Sequence, residues 1–230
     1  MPALEILTGS GFGSLLGMRH AFEPDHLAAV STLVSRERSG YKAALLGAWW
    51  GLGHTLSLVV VGAALVLLRE EMPAQATAFF ELLVALMLIA LGSRTILDAA
   101  RPSHAAPFRA HRHLLVAHQH PGAPAHVHIG SWTFGRRPLI VGAVHGLAGS
   151  GALTALVLST LPSTSARLAY MALFGLGSTV GMAALSGVLG WPLAKLGTQR
   201  HVARALSLVV GCLSAGLGIA WGYPLLGELL

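Results

Sequence analysis

Charge is scarce in this chain of 230 residues: only 10% are Asp, Glu, Lys or Arg, against about 25% in a soluble globular domain. That scarcity argues against an ordinary cytosolic enzyme. The 54% hydrophobic content and the mean hydropathy of +0.67 exclude disorder, which needs the opposite balance. Acid runs out altogether between Asp98 and Glu228. One cysteine, Cys212, excludes an internal disulfide and a two-thiol redox pair. No G-x-x-x-x-G-K-Ser/Thr stretch is present for ATP hydrolysis through a P-loop, and no H-E-x-x-H for a metalloprotease. The net charge of +6 would suggest nucleic acid in a soluble protein. Here the cations are dispersed among apolar runs, so no nucleic-acid partner is expected and the bilayer is the expected surrounding.

Six segments are long and apolar enough to cross a bilayer core of about 30 Å: 6–34, 42–68, 77–97, 138–161, 167–190 and 203–226. The expected fold class is all-α, a polytopic membrane protein. Residues 1–97 form a first three-helix unit, 98–137 a cytoplasmic loop and 138–230 a second three-helix unit. Twelve of the 15 basic residues fall on the three connections that six spans place on one side: Arg36, Arg38 and Lys42; Arg94, Arg101, Arg109, Arg112, Arg136 and Arg137; Lys195, Arg200 and Arg204. Arg69 and Arg167 take the other side. Basic loops stay cytoplasmic, which sets both termini outside the cell membrane. Met1 to Met18 carry Glu5 and no basic stretch, so no cleaved signal peptide is expected.

The halves echo each other. Trp50-Gly51-Leu52-Gly53-His54-Thr55 returns as Phe174-Gly175-Leu176-Gly177-Ser178-Thr179, and Gly17-Met18-Arg19-His20 as Gly142-Ala143-Val144-His145. Glu81 through Gly92 matches Ser207 through Gly218, so the offsets run from 124 to 126. Three spans per unit mean that the second enters from the opposite side, the inverted-repeat pattern of secondary transporters. A shared small-residue packing pattern is the plainer explanation of each match taken alone.

An ionisable group at mid-bilayer costs at least about 2.5–3.5 kcal/mol on insertion scales. The first span nevertheless holds Arg19, His20, Glu23, Asp25 and His26 around Pro24. On an unbroken helix His20 and His26 stand about 240° apart around the axis, a poor chelating geometry. Pro24 disturbs the preceding turn, and a break after Glu23 folds the imidazoles toward one ion. Imidazole with carboxylate suits Ni, Co, Zn or Cu. His54 and His145 are the other intramembrane histidines and complete the expected metal set of His20, Asp25, His26, His54 and His145. Arg19 is expected to pair with Glu23 at i+4, or with Asp25, keeping the site near neutrality. Ser150, Ser178 and Thr179 are expected to hydrogen-bond between helices rather than line a pathway.

Seven of the 12 histidines lie in the loop: His104, His111, His113, His118, His120, His126 and His128, six of them as His-x-His pairs. Pro102, Pro107, Pro121 and Pro124 speak against a continuous helix there. Such a tract reads as a secondary, low-selectivity metal site, a cytosolic buffer or delivery point.

Arg19-His20-Ala21-Phe22-Glu23-Pro24-Asp25-His26 and Gly53-His54-Thr55 resemble the Arg-His-Ala…Asp-His and Gly-His-Ser/Thr stretches of the nickel/cobalt transporter superfamily, which includes nickel/cobalt permeases, efflux proteins and six-span urease-accessory nickel transporters. Two departures stand out. The family's Asp-Ala-Asp-His is Glu-Pro-Asp-His here, and an acidic, Thr-rich stretch of the second half is replaced by His145-Gly146-Leu147-Ala148-Gly149-Ser150, which is similar to the accessory branch. The resemblance implies that His20, Asp25, His26 and His54 recognise the metal. It implies secondary transport of Ni2+ or Co2+ as substrate, with no resident cofactor, and a cytosolic nickel chaperone or urease maturation proteins as recipients. Uptake is the expected direction, with efflux by proton exchange the alternative. Two other classes compete: an intramembrane serine protease built on Ser150, and an electron carrier with His20, His54 and His145 as haem ligands.

Overall fold

The computed structural model describes residues 12–35, 37, 39–101, 109–113, 116–120, 126–129, 132–196 and 199–229, the four short strands by backbone alone. Among the described residues, five helices are long and apolar enough to cross a membrane: α3 (Gly40–Leu68), α4 (Ala74–Ala100), α5 (Arg136–Thr160), α6 (Thr164–Leu196) and α7 (Arg200–Leu229). The first apolar segment is a broken pair instead. Helix α1 covers 12–20, the chain turns through 21–23, and α2 (Pro24–Val34) resumes. Pro24 stands in the first turn of α2, where its missing N–H is not needed. The turn closes with Phe22 N–H donating to Arg19 O and Glu23 N–H to His20 O. The membrane body is all-helical, as the apolar periodicity requires.

The connection from α4 to α5 adds something composition did not reveal. Strand β1 (Arg109–His113) pairs antiparallel with β2 (Val116–His120), and β3 (His126–Ile129) with β4 (Trp132–Gly135). The prolines singled out in this loop, Pro102, Pro107, Pro121 and Pro124, lie outside the described residues. His111 is the register partner of His118. His104 and the side chains of the other six loop histidines lie outside the described residues.

Helices in lipid gain little from hydrophobicity against one another, so small residues that let backbones touch decide the packing. Helix α3 packs against both α5 and α6, α4 against α7, and α1 against α6. These contacts recur in matched pairs. A methyl group at Gly17 would strike Phe174 O and Ser178 N; one at Gly142 would strike Trp50 O and His54 N. Gly177 abuts Ser14 O, and Gly53 abuts Leu139 O. Gly92 lies on Gly211 and Ala215, while Gly218 lies on Ala85 and Ile89. Every second contact is the first displaced by 124 to 126 positions with the halves exchanged. Two contacts join a residue to its own counterpart: the Thr55 and Thr179 hydroxyls, 2.8 Å apart, and Ser214 Oγ donating to Leu88 O at 3.0 Å.

Overpacking of this kind typically costs about 1–3 kcal/mol. Gly142→Ala and Gly17→Ala should therefore both lower the thermal midpoint in detergent micelles. Gly216→Ala, with nothing within 4 Å of the added carbon, should leave it unchanged or raised. Equal midpoints for all three would contradict the packing.

Candidate metal centre

The break at 21–23 is what assembles the site. Because α1 stops at His20 and α2 restarts at Pro24, the His20 and His26 rings come within 4.4 Å of each other, centroid to centroid. Helix α3 supplies His54, whose Nε2 lies 3.3 Å from His20 Nε2. Two ring nitrogens each roughly 2.0–2.1 Å from a divalent ion stand about 2.9–3.4 Å apart, depending on the angle at the metal. His20 and His54 already hold that spacing. One ring nitrogen from each of His20, His26 and His54 lies within 4.8 Å of the others, and the same holds for donor atoms of Asp25, His26 and His145. His26 belongs to both trios.

Carboxylates fix the rings. An ionised Asp25 only accepts, and three donors converge on it. The His26 backbone N–H and His26 Nδ1 reach Oδ1 at 2.9 and 3.0 Å, and His145 Nε2 reaches Oδ2 at 2.6 Å. With Nδ1–H committed to Asp25, His26 keeps its lone pair on Nε2, a buried atom with no partner among the described residues. His20 repeats the pattern: Nδ1 donates to Glu23 Oε1 at 2.9 Å, leaving Nε2 to face His54. A carboxylate behind an imidazole whose other nitrogen is open is the usual second layer of a metal site. Asp25, His26, His54 and His145 are all buried, His54 completely.

A cavity of about 630 Å³ has this cluster as its floor. His20, Glu23, Asp25, His26 and His145 line the bottom, and Phe174 lies beside His20 with ring centroids 5.3 Å apart. The walls rise past Glu81 and Leu153 to Leu156, Tyr170 and Trp221, toward the ends of the helices joined by 69–73 and 161–163. Beneath the cluster, on the side of the 35–39 connection, Val30, Val34, Ala43, Trp50, Met182 and Leu185 form a closed apolar core.

All five expected intramembrane metal residues thus meet in one place. Three details differ from the sequence reading. Arg19 does not pair with Glu23 or Asp25: α1 ends at His20, so the i+4 helical geometry is absent, and the two carboxylates go to histidines. Thr179 bridges helices through Thr55 as expected, but the buried Ser178 hydroxyl has no hydrogen-bond partner among the described residues. Ser150, the nucleophile of the protease alternative, does not bond between helices as expected but spends its hydroxyl on Leu147 O of its own helix at 2.6 Å. Sequence reasoning did not single out Trp50, Phe174 or Tyr170; the match of Trp50 with Phe174 at offset 124 was the available signal.

Residues 9–199 match the family model described as high-affinity nickel-transport protein. Among curated proteins, the urease accessory protein UreH of Bacillus sp. strain TB-90 is 29% identical over 98% of this chain and 95% of its own length. The chloroplast proteins FOR GROWTH AND FERTILITY 1 and 2 of Arabidopsis thaliana are 28% and 25% identical over 93% and 94% of this chain, which spans 58% and 56% of their lengths. No solved structure gives a significant match. With its helix break, its histidine cluster and a family model that spans most of its length, the chain belongs to the high-affinity nickel-transport protein family.

Proposed function

We propose that this multi-pass membrane protein, a nickel-family transporter rather than an enzyme, moves Ni2+ or Co2+ inward across the cell membrane, with both termini outside. The observation that carries the reading is the histidine floor of a cavity that rises toward the connections 69–73 and 161–163. On that side stand Arg69 and Arg167 together with Glu70, Glu71 and Glu81, whereas the opposite connections carry most of the cations. Basic loops mark the cytoplasm, so the cavity faces outward, and its carboxylates favour an approaching cation.

In this reading the ion sheds water for the ring nitrogens of His20, His26 and His54. Glu23 and Asp25 orient the first two rings, and His145 holds Asp25 in place. Asp25 and His145 then act as an anchor beside the ion rather than as its first ligands. Moving one charge across 100 mV is worth about 2.3 kcal/mol, so a divalent ion entering gains roughly 4.6 kcal/mol from the membrane potential. No coupled ion is required. The matched contacts of the two halves support 1–97 and 138–230 as one three-helix unit used twice in opposite orientation, rocking about the Thr55–Thr179 and Leu88–Ser214 contacts. The histidine loop 98–137 receives the ion on the cytosolic side. The urease accessory name of the Bacillus relative supports urease maturation proteins or a nickel chaperone as the next recipient.

Proteoliposomes with an inside-negative potential should accumulate nickel saturably, and His20→Ala or His26→Ala should abolish it; undiminished uptake would sink the site. Asp25→Asn and Glu23→Gln keep the shapes but weaken the orientation, and each should cost about 10–100-fold in nickel affinity by isothermal titration. Ser150→Ala should leave both readouts unchanged. Metal loss from loaded vesicles driven by a proton gradient, with no uptake, would replace import by export.

A further inference from the structure

Phe174 and Trp50 are counterparts at offset 124, and they flank the histidine cluster from opposite sides. Phe174 stands one turn before Ser178 on α6, lines the open cavity and contacts His20. Trp50 stands one turn before His54 on α3. Its ring lies 5.4 Å from that of His26 and 5.7 Å from that of His145, and it is 0% exposed. The pairing continues in their surroundings. Leu58, packed near Phe174, corresponds to Met182, packed near Trp50. Ala152, Leu153 and Leu156 of α5 line the open cavity; 125 positions earlier, Leu27 and Ala28 of α2 pack against the closed core around Trp50, and Ser31 follows them. Leu156 is exposed, whereas its counterpart Ser31 is half-buried.

We propose that Trp50 is the gate on the far side of the metal centre, and that the exit route runs along the Leu27, Ala28 and Ser31 face of α2. When two counterpart units swap conformations about their shared contacts, each open wall closes and each closed counterpart opens. Packed apolar cores switch between discrete arrangements rather than deforming continuously. The Trp50 indole N–H supports a second state, because it is buried without a partner among the described residues. A buried donor without a partner is unfavourable, and withdrawal of the ring into an opened, wet route would satisfy it.

The inference rests on the transport reading above, but its test needs no nickel. In a Cys212→Ser background, Leu156→Cys reports the open cavity and Ser31→Cys the exit route, each probed with a membrane-impermeant methanethiosulfonate on either face of sealed vesicles. With Trp50 intact, Leu156→Cys should react from one face and Ser31→Cys should be protected. Adding Trp50→Ala should speed labelling of Ser31→Cys from the opposite face by about tenfold or more, while Trp50→Phe should preserve protection. Continued labelling of Leu156→Cys shows that the variant is folded; if Trp50→Ala does not fold, Trp50→Leu takes its place. Protection of Ser31→Cys in the folded variant overturns the gate, as does its free reactivity with Trp50 present. Labelling of Leu156→Cys from the cytosolic face overturns the orientation proposed above, and the gate is then judged from the other face by the same rates.

Discussion

A single carboxylate placed where lipid should surround the chain organises this protein. Asp25 is buried among helices with almost no acid to spare, and a charge there is tolerated only when donors surround it. The surrounding donors are two imidazoles and a backbone N–H, drawn from α2 and α5. Meeting that requirement commits one nitrogen of each ring and leaves the other free. The cost of burying the acid is thus turned into a fixed orientation of each ring's open nitrogen.

The rest of the fold serves that arrangement. A continuous first helix would send His20 and His26 to different faces, so the chain gives up helical hydrogen bonds at 21–23 and lets Pro24 restart the helix. The lost bonds are made good locally by the turn contacts at Phe22 and Glu23. Glycines at 17, 53, 142 and 177 let α1, α3, α5 and α6 approach backbone to backbone, which brings His54 and His145 up to the break. Larger side chains at those four positions would hold the donors apart.

The two halves share a scaffold but not a chemistry. His20 corresponds to His145, yet Asp25 and His54 correspond to Ser150 and Ser178. Only the first half carries the acid and the helix break that let imidazoles converge; the second half contributes His145 to steady them. An even distribution would place a second buried carboxylate in the bilayer, each with its own requirement for donors. The packing contacts between the halves are thus symmetric, while the cluster of buried polar side chains is not.

Much of this was legible in the sequence. Hydropathy alone marked every long helix, because lipid demands some twenty apolar residues per crossing and leaves few alternatives. The cluster of Arg19 to His26 around Pro24 announced both a break and a convergence of ionisable side chains, since costly groups so close together need a shared reason. Three-dimensional packing alone decided which nitrogen of each histidine is open, that Glu23 answers His20 rather than Arg19, and that Trp50 is buried in the apolar core beside His26 and His145. Periodicity and composition place residues along and around a helix. The choice among partners depends on ångström distances between helices far apart in the chain, and those follow only from the close packing of one helix against another.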